Sequence, residues 1–314
     1  MKNILILVVF AALFSSCSGF FSQKIEADPP EFDKSLVFHQ IVANTDTSIR
    51  LVLSRNFGVF ETVDDYSKWY IKGAVVEWWE DGQKTLLLSP LSADSAFVYV
   101  GAFPTPLQVG KKYEIRVSHP DFNGVIASQE LPRQVALPEQ IALKRNIPAG
   151  DPYTIRHELS FVIKDAPGEE NYYELSMERL YPYVDYIGQD PNGEPIFDTT
   201  YLNLRSFFET ENDPNLVNSY AGSALISDKL FDGQDYKFIG RFGPAFYDST
   251  TGDSLPYTLV IRSVTADYYK WSSSAKRQND NSGNPFAEPT AVYSNLLNGL
   301  GIFGMYTERK TEVK

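Results

Sequence analysis

The chain has 314 residues, 43% of them hydrophobic, and a formal net charge of -12. That acidity, with no run of Lys and Arg anywhere, excludes a nucleic-acid binder, which needs clustered basic side chains, and the apolar content is that of a folded protein, not a disordered one. A single cysteine, Cys17, excludes an intrachain disulfide, so stability must come from packed cores, which a chain of this size can build.

Met1-Lys2-Asn3 leads into an apolar run, Ile4 to Phe14, and then into Ser15-Ser16-Cys17. A basic start, a short apolar segment and small residues before a cleavage point predict a secretory signal peptide over 1–16. The apolar run is too short to span a bilayer, which takes ~20 residues. Cys17 stands where a lipoprotein signal peptidase requires a cysteine. Ser15 and Ser16 suit the narrow positions before the scissile bond, and Phe14 occupies the place where Leu or Val is usual. The expectation is a diacylglyceryl anchor on Cys17 that attaches the protein to a membrane. Each buried acyl CH₂ contributes ~0.8 kcal/mol, and stable anchoring takes two chains. Residues 17–33 read as a lipidated, polar tether.

The segment 34–132 alternates short apolar runs with turn residues. Strands are predicted over 35–43, 48–55, 73–80, 84–88, 96–100, 112–118 and 125–130. Asp81-Gly82 between the third and fourth is a strong hairpin signal. About seven strands in about 100 residues suggest an immunoglobulin-like sandwich, and KKYEIRVSHPDF (111–122) resembles the late hairpin of prealbumin-like modules. Residues 133–153, broken by Pro138, Pro148 and Pro152, read as a linker with one edge strand near 140–144.

A second, larger β domain is predicted over 154–314. Strands are expected at 154–165 and 171–180, then at 181–188 and 195–204 around the turn Asp190-Pro191-Asn192-Gly193. Residues 212–224 read as irregular or briefly helical and 227–233 as a turn region. Strands follow at 236–240 and 257–264. Thr265 is placed to cap a helix over 266–277, with Asp267 near its positive end; 279–283 reads as a polar loop, and a final strand is expected at 301–306. The fold class is therefore all-β with one or two short helices. The abundance of Tyr and Phe, 19 and 21 residues, fits half-buried strands.

The C-terminal stretch carries the most specific pattern after the cysteine. Tyr268-Tyr269-Lys270 is followed by NPFAEP (284–289), VYSN (292–295) and NGLGIFG (298–304). In that order these resemble the end of a Bacteroidota lipoprotein family, domain of unknown function 4249, and SDKLFDGQDY (227–236) is similar to an earlier segment of it. The resemblance implies an outer-membrane lipoprotein found alongside TonB-dependent transporters. It carries no established activity or catalytic residue. Ser18-Gly19-Phe20-Phe21 after the cysteine leaves open which face of the outer membrane the protein occupies.

Other patterns have ordinary explanations. Gly299-Leu300-Gly301-Ile302-Phe303-Gly304 satisfies GxGxxG, but only ten residues follow it, too few for the helix and strand of a dinucleotide-binding unit. The glycines are expected to allow close packing of the last strand, and no nucleotide is expected. His39, His119 and His157 show no zinc-ligand spacing. Asp190, Asn192 and Glu194 fail the spacing of a calcium loop and read as a hairpin turn. No nucleophile elbow is present, so Glu77, Asp185 and Glu288 are assigned no catalytic role, and no metal or cofactor is expected. Trp78 and Trp79, adjacent in a strand, must point to opposite faces, one toward the core and one toward a surface. Tyr181, Tyr183 and Tyr186 near the second hairpin make a second candidate ligand or partner surface. The expected function is an accessory envelope lipoprotein that binds a ligand or partner beside a TonB-dependent transporter. The alternatives are a surface hydrolase acting on glycan or peptide, and a purely structural component.

Overall fold

The computed structural model describes residues 32–58, 61, 65–148, 155–210, 213–244, 256–284, 286–288 and 290–313. The predicted signal peptide, Cys17 and nearly all of the tether lie outside them. One compact unit comprises Lys34–Asn56 and Asp65–Lys314, and the architecture below is that of this unit. The second unit, Met1–Asp33 and Phe57–Asp64, has only Phe32, Asp33, Phe57, Gly58 and Glu61 among the described residues.

The protein is mainly β. Along the first half run β1 (Leu36–Ala43), β2 (Ser48–Val52), β3 (Ser54–Arg55), β4 (Val75–Glu80), β5 (Gln83–Pro90), β6 (Val98–Ala102), β7 (Lys112–His119), β8 (Phe122–Glu130) and β9 (Glu139–Pro148). The second half holds β10 (Ile155–Lys164), β11 (Tyr172–Gln189), β12 (Pro195–Ser206), β13 (Leu216–Asn218), β14 (Ala224–Ser227), β15 (Asp235–Phe242), β16 (Tyr257–Val264), the helix α1 (Ala266–Asn281) and β17 (Gly299–Val313). Three sheets result. One has the order β2-β6-β5-β4-β7-β8 and one the order β15-β10-β9. The largest runs β13-β14-β11-β16-β17-β1-β3, with β12 paired to β11.

Local chemistry explains several elements. The Asp81-Gly82 turn has φ of 46° and 80°, the doubly positive pair of a tight hairpin. Tyr113, Ile115 and Val117 of β7 are buried and alternate with more exposed residues, the period-2 pattern of a half-buried strand. The helix starts after Thr265 as expected, although the Thr265 hydroxyl accepts from the Met305 N–H (3.3 Å) instead of capping its own helix. It runs to Asn281, beyond the predicted end at 277, and an ion pair between Lys276 and Asp280 spans its last turn. The region read as irregular at 212–224 contains the short strand β13, and the last strand extends far beyond 301–306 to Val313.

The β1–β17 pairing joins the two ends of the compact unit. It is parallel, from Leu36 opposite Gly299 to Ala43 opposite Tyr306. Phe38, Phe303 and Met305 then share a core with Leu51, Trp78, Tyr113 and Val125. Farther along the large sheet, Tyr173, Leu175, Met177, Leu259 and Ile261 pack with Leu159, Phe161 and Phe238 from the three-stranded sheet. The alternate residues of β11, β16 and β17 carry Tyr172, Val264 and Tyr306, which pack with Tyr268 of α1. Gly301 lies close against the neighbouring strand. Its φ is +118°, and an added Cβ would overlap the Phe38 carbonyl oxygen of β1. The glycine is there for backbone contact, as expected of a strand glycine.

Candidate functional site

The residues read as partner contacts around the second hairpin lie on an unusual element. β11 is 18 residues long, and its first eight residues are buried. Its pairing with β16 ends at Glu178, whereas its pairing with β12 continues to Gln189 opposite Pro195. Beyond Arg179 the two strands form a two-stranded arm of roughly 30 Å, at ~3.4 Å per residue. Both of its faces are open. On one, Tyr181 lies opposite Leu202, Tyr183 opposite Thr200 and Asp185 opposite Asp198. On the other, Pro182 lies opposite Tyr201, Val184 opposite Thr199 and Tyr186 opposite Phe197, with the last two rings edge-on at 6.0 Å. Tyr183 is 47% exposed, Tyr186 58% and Tyr201 66%. Tyr181 and Tyr183 thus share one face, and Tyr186 sits on the opposite one.

At the tip, Asp190 Oδ1 accepts from the backbone N–H groups of Asn192 and Glu194, both at 2.8 Å. These bonds, the one from Glu194 first, hold the Asp190 carboxyl below its ordinary value. Asp190 closes the hairpin turn that its sequence suggested.

Trp78 and Trp79 separate as strand alternation requires. Trp78 is buried among Phe103, Tyr113 and Phe303. It belongs to the core and is removed from the candidate surface, because its whole ring is used in packing. Trp79 is half-buried. The Arg116 guanidinium covers its ring at 3.7 Å, and its indole N–H donates to Glu77 Oε2 at 3.1 Å. That face of Trp79 is therefore already taken by a cation–π contact.

The C-terminal motif residues are brought together at the start of α1. Asp267 accepts from the Tyr293 hydroxyl (2.6 Å), the Gln129 side-chain amide (2.7 Å) and the Asn295 amide (3.1 Å). Asn295 also exchanges two hydrogen bonds with the Phe303 backbone, at 2.8 and 3.0 Å. The VYSN pattern is thus a clamp between the helix, β8 and β17. Near it, a cavity of about 480 Å³ opens between α1, β1 and the turn at 219–222. His39, Tyr220 and Trp271 supply its aromatic walls, and Gln278, Asn279 and Ser282 its polar groups. Sequence reading missed this cavity. Its lining is drawn from separate parts of the chain, His39, Tyr220, the end of α1 and Val292, so no local pattern marks it.

Two carboxylate groupings complete the inventory among the described residues. Glu158, Glu209 and Asp213 line a second cavity of about 320 Å³. All three are engaged: Glu158 with Lys144 and Arg241, Glu209 with Arg156, and Asp213 with the Tyr236 hydroxyl. The bond from Lys144 holds Glu158 below its ordinary value.

Asp165, Asp228 and Asp232 bring carboxylate oxygens within 4.8 Å of one another. Each already accepts from the protein: Asp165 from Tyr173 and Gly233, Asp228 from the Asn171 N–H and Asp232 from the Gly168 N–H. Burial, and then the charges of Asp165 and Asp232, push Asp228 above its ordinary 3.8, against the pull of Asn171. A raised acid of this kind contributes stability below the unfolded value that is lost as pH rises through the folded one. Asp228→Asn keeps an acceptor for Asn171 and removes the buried charge. Its unfolding free energy at pH 7 is expected to rise by on the order of 1 kcal/mol, with the difference shrinking toward acid pH in melting curves taken across that range.

With the fold and these sites in view, the comparison with known proteins is decisive at one level. Residues 22–312 match the family described as domain of unknown function 4249. The chain belongs to that family. No curated protein matches it. Among solved structures, the collagen-binding domain of the Erysipelothrix rhusiopathiae surface protein RspB is similar over 90% of this chain and 96% of its own. The identity is 9% and the TM-score 0.20, too slight a likeness to carry an argument. In this chain VYSN and GLGIFG serve structure, the first through the Tyr293 and Asn295 bonds to Asp267 and the second through the close contact of Gly301 in β17 with β1.

Proposed function

We propose that this DUF4249 protein is a non-enzymatic binding component of the cell envelope, held at the outer membrane by an acylated Cys17. In this reading it uses its β11–β12 arm to engage a membrane partner, a TonB-dependent transporter. The observation that carries the reading is the arm. An isolated two-stranded ribbon is marginal in water, and this one exposes Leu180, Tyr183, Val184, Tyr186, Phe197 and Tyr201. Exposed apolar surface of this kind, with Tyr183 on one face and the other five side chains on the opposite one, marks interaction sites. The arm has four carboxylates, Asp185, Asp190, Glu194 and Asp198, and no basic residue between Tyr181 and Leu204. Asp185 and Asp198 stand directly opposite each other, an arrangement that weakens a ribbon by itself. A partner with apolar slots and a basic rim relieves both features.

The test places a photocrosslinking residue at Tyr201 in the intact chain in cells. The expected product is a covalent adduct with an outer-membrane β-barrel, identified by mass spectrometry. The triple variant Tyr183→Ser, Tyr186→Ser, Phe197→Ser should lose the adduct while its stability stays within about 0.5 kcal/mol per site, as for exposed positions. Persistence of the adduct in the triple variant, or an adduct only with a second copy of the chain, rejects this function.

A further inference from the structure

The cavity beside α1 is separate from the arm and is built in advance of any ligand. The turn that carries Tyr220 is pinned to the helix by its N–H donating to the Ser272 hydroxyl at 3.0 Å. The opposite wall is pinned twice, by the Tyr293 N–H to Ser274 Oγ (2.9 Å) and the Thr290 N–H to Gln278 Oε1 (3.1 Å). Fixing the walls in the free protein removes an ordering cost that binding would otherwise carry. Trp271, Ala275 and Gln278 repeat at i, i+4 and i+7, so one stripe of the helix faces the cavity, with Ser282 just beyond its end.

We propose that this cavity binds an uncharged sugar, one or two pyranose rings of a glycan. Three observations select that chemistry. The volume of about 480 Å³ lies within the ~300–1,000 Å³ of small-molecule sites. The walls are aromatic: Trp271 lies 5.6 Å from His39 and 5.8 Å from Tyr220 between ring centroids. Such walls suit the apolar C–H faces of a pyranose. The polar groups that line it, Gln278, Asn279, Ser282 and His39, can each offer both a donor and an acceptor when neutral, as sugar hydroxyls do. Gln278 Oε1 already accepts from the Thr290 N–H, which leaves its amide N–H groups as donors without a bond to that segment. No Lys, Arg, Asp or Glu is among the described lining residues, so none of these compensates a charged ligand. Burial also lowers the His39 imidazole from its ordinary value, which keeps it neutral at pH 7.

Intrinsic tryptophan fluorescence and calorimetry on the purified full chain test this with glucose, mannose, N-acetylglucosamine, maltose and cellobiose. Glucuronate and glucosamine serve as charged counterparts. Saturable binding of at least one neutral sugar is expected, with weaker binding of the charged analogues. The double variant Gln278→Ala, Asn279→Ala should weaken that binding by about tenfold or more, the loss of a central contact. Both positions are exposed on the helix, but Gln278→Ala also frees the Thr290 N–H, so the single variant Asn279→Ala, which keeps that bond, should melt as the parent does and still bind more weakly. Trp271→Phe, which keeps a ring in the wall, should bind less tightly than the parent. The arm triple variant should bind the sugar unchanged, so this inference and the transporter reading stand or fall separately. If none of the five neutral sugars binds saturably, if the double variant binds as the parent does, or if a charged analogue binds best, the inference is overturned.

Discussion

Gly301→Ala is expected to destabilise the protein by about 3 kcal/mol or more, among the largest effects of any single substitution in the chain. Two independent reasons add. The residue sits at φ +118°, which L side chains rarely adopt, and its Cβ would overlap the backbone of Phe38 on the neighbouring strand. Backbone cannot swing aside as a side chain can, so β1 and β17 must part or twist where they pair in parallel. That pairing carries Phe38 and Phe303 into the core beside Trp78, so the damage reaches the packing of the N-terminal half. Gly124→Ala is the control. Its added Cβ meets only the Val117 carbonyl oxygen at 3.7 Å, an ordinary contact, and its backbone is not left-handed. Urea unfolding of the three proteins decides the matter; a Gly301→Ala midpoint equal to that of Gly124→Ala would refute the contact.

Glu174→Leu is expected to cost about 3–5 kcal/mol, the range for removing one partner of a buried ion pair. Glu174 is 2% exposed, on the face of the large sheet that receives α1. Its two oxygens accept from the Tyr268 hydroxyl of the helix (3.0 Å) and from Arg262 of β16 (3.2 Å). Arg262 also donates to Glu308 of β17 at 2.9 Å and lies over the Tyr306 ring at 4.5 Å. The cross-strand register sets this order, with Glu174 opposite Arg262 and Arg262 opposite Glu308. Leucine would leave the guanidinium short of one counter-charge and the Tyr268 hydroxyl without its acceptor. Glu174→Gln keeps an acceptor and is expected to cost less. Equal losses for the two variants in thermal unfolding would show that packing, not charge, is what matters there. Burial and then the Glu174 charge raise Tyr268 well above its ordinary 10.0. Its contribution is therefore complete below pH 10, where the unfolded tyrosine is still protonated, and is lost as pH rises beyond that.

Much of the local structure was legible in the residues because its causes are local. The alternation in β7 and β10, the Asp81-Gly82 turn and the helix start after Thr265 each depend on a handful of neighbours. Strand ends were less legible where distant partners extend them. β17 continues to Val313 because β16 pairs with it along its whole length, and the helix persists through Asn281 with its Gln278 side chain holding a separate segment. The arm was visible only as two strands around a turn. Nothing in its alternation distinguishes a ribbon that ends a sheet from one that leaves it, since that depends on where β16 stops.

The sequence by itself determined the mainly β class, the hairpin turns, the place of the helix and, through NPFAEP, VYSN and GLGIFG, membership of the DUF4249 family. Each of these is written in short windows, as residue periodicity, turn chemistry or a motif. Only the tertiary structure decided that β1 lies against β17, that Trp78 is core while Arg116 covers Trp79, and that α1 leaves one stripe facing a cavity. Periodicity tells a residue whether its face is buried, but not which distant strand, ring or helix does the burying.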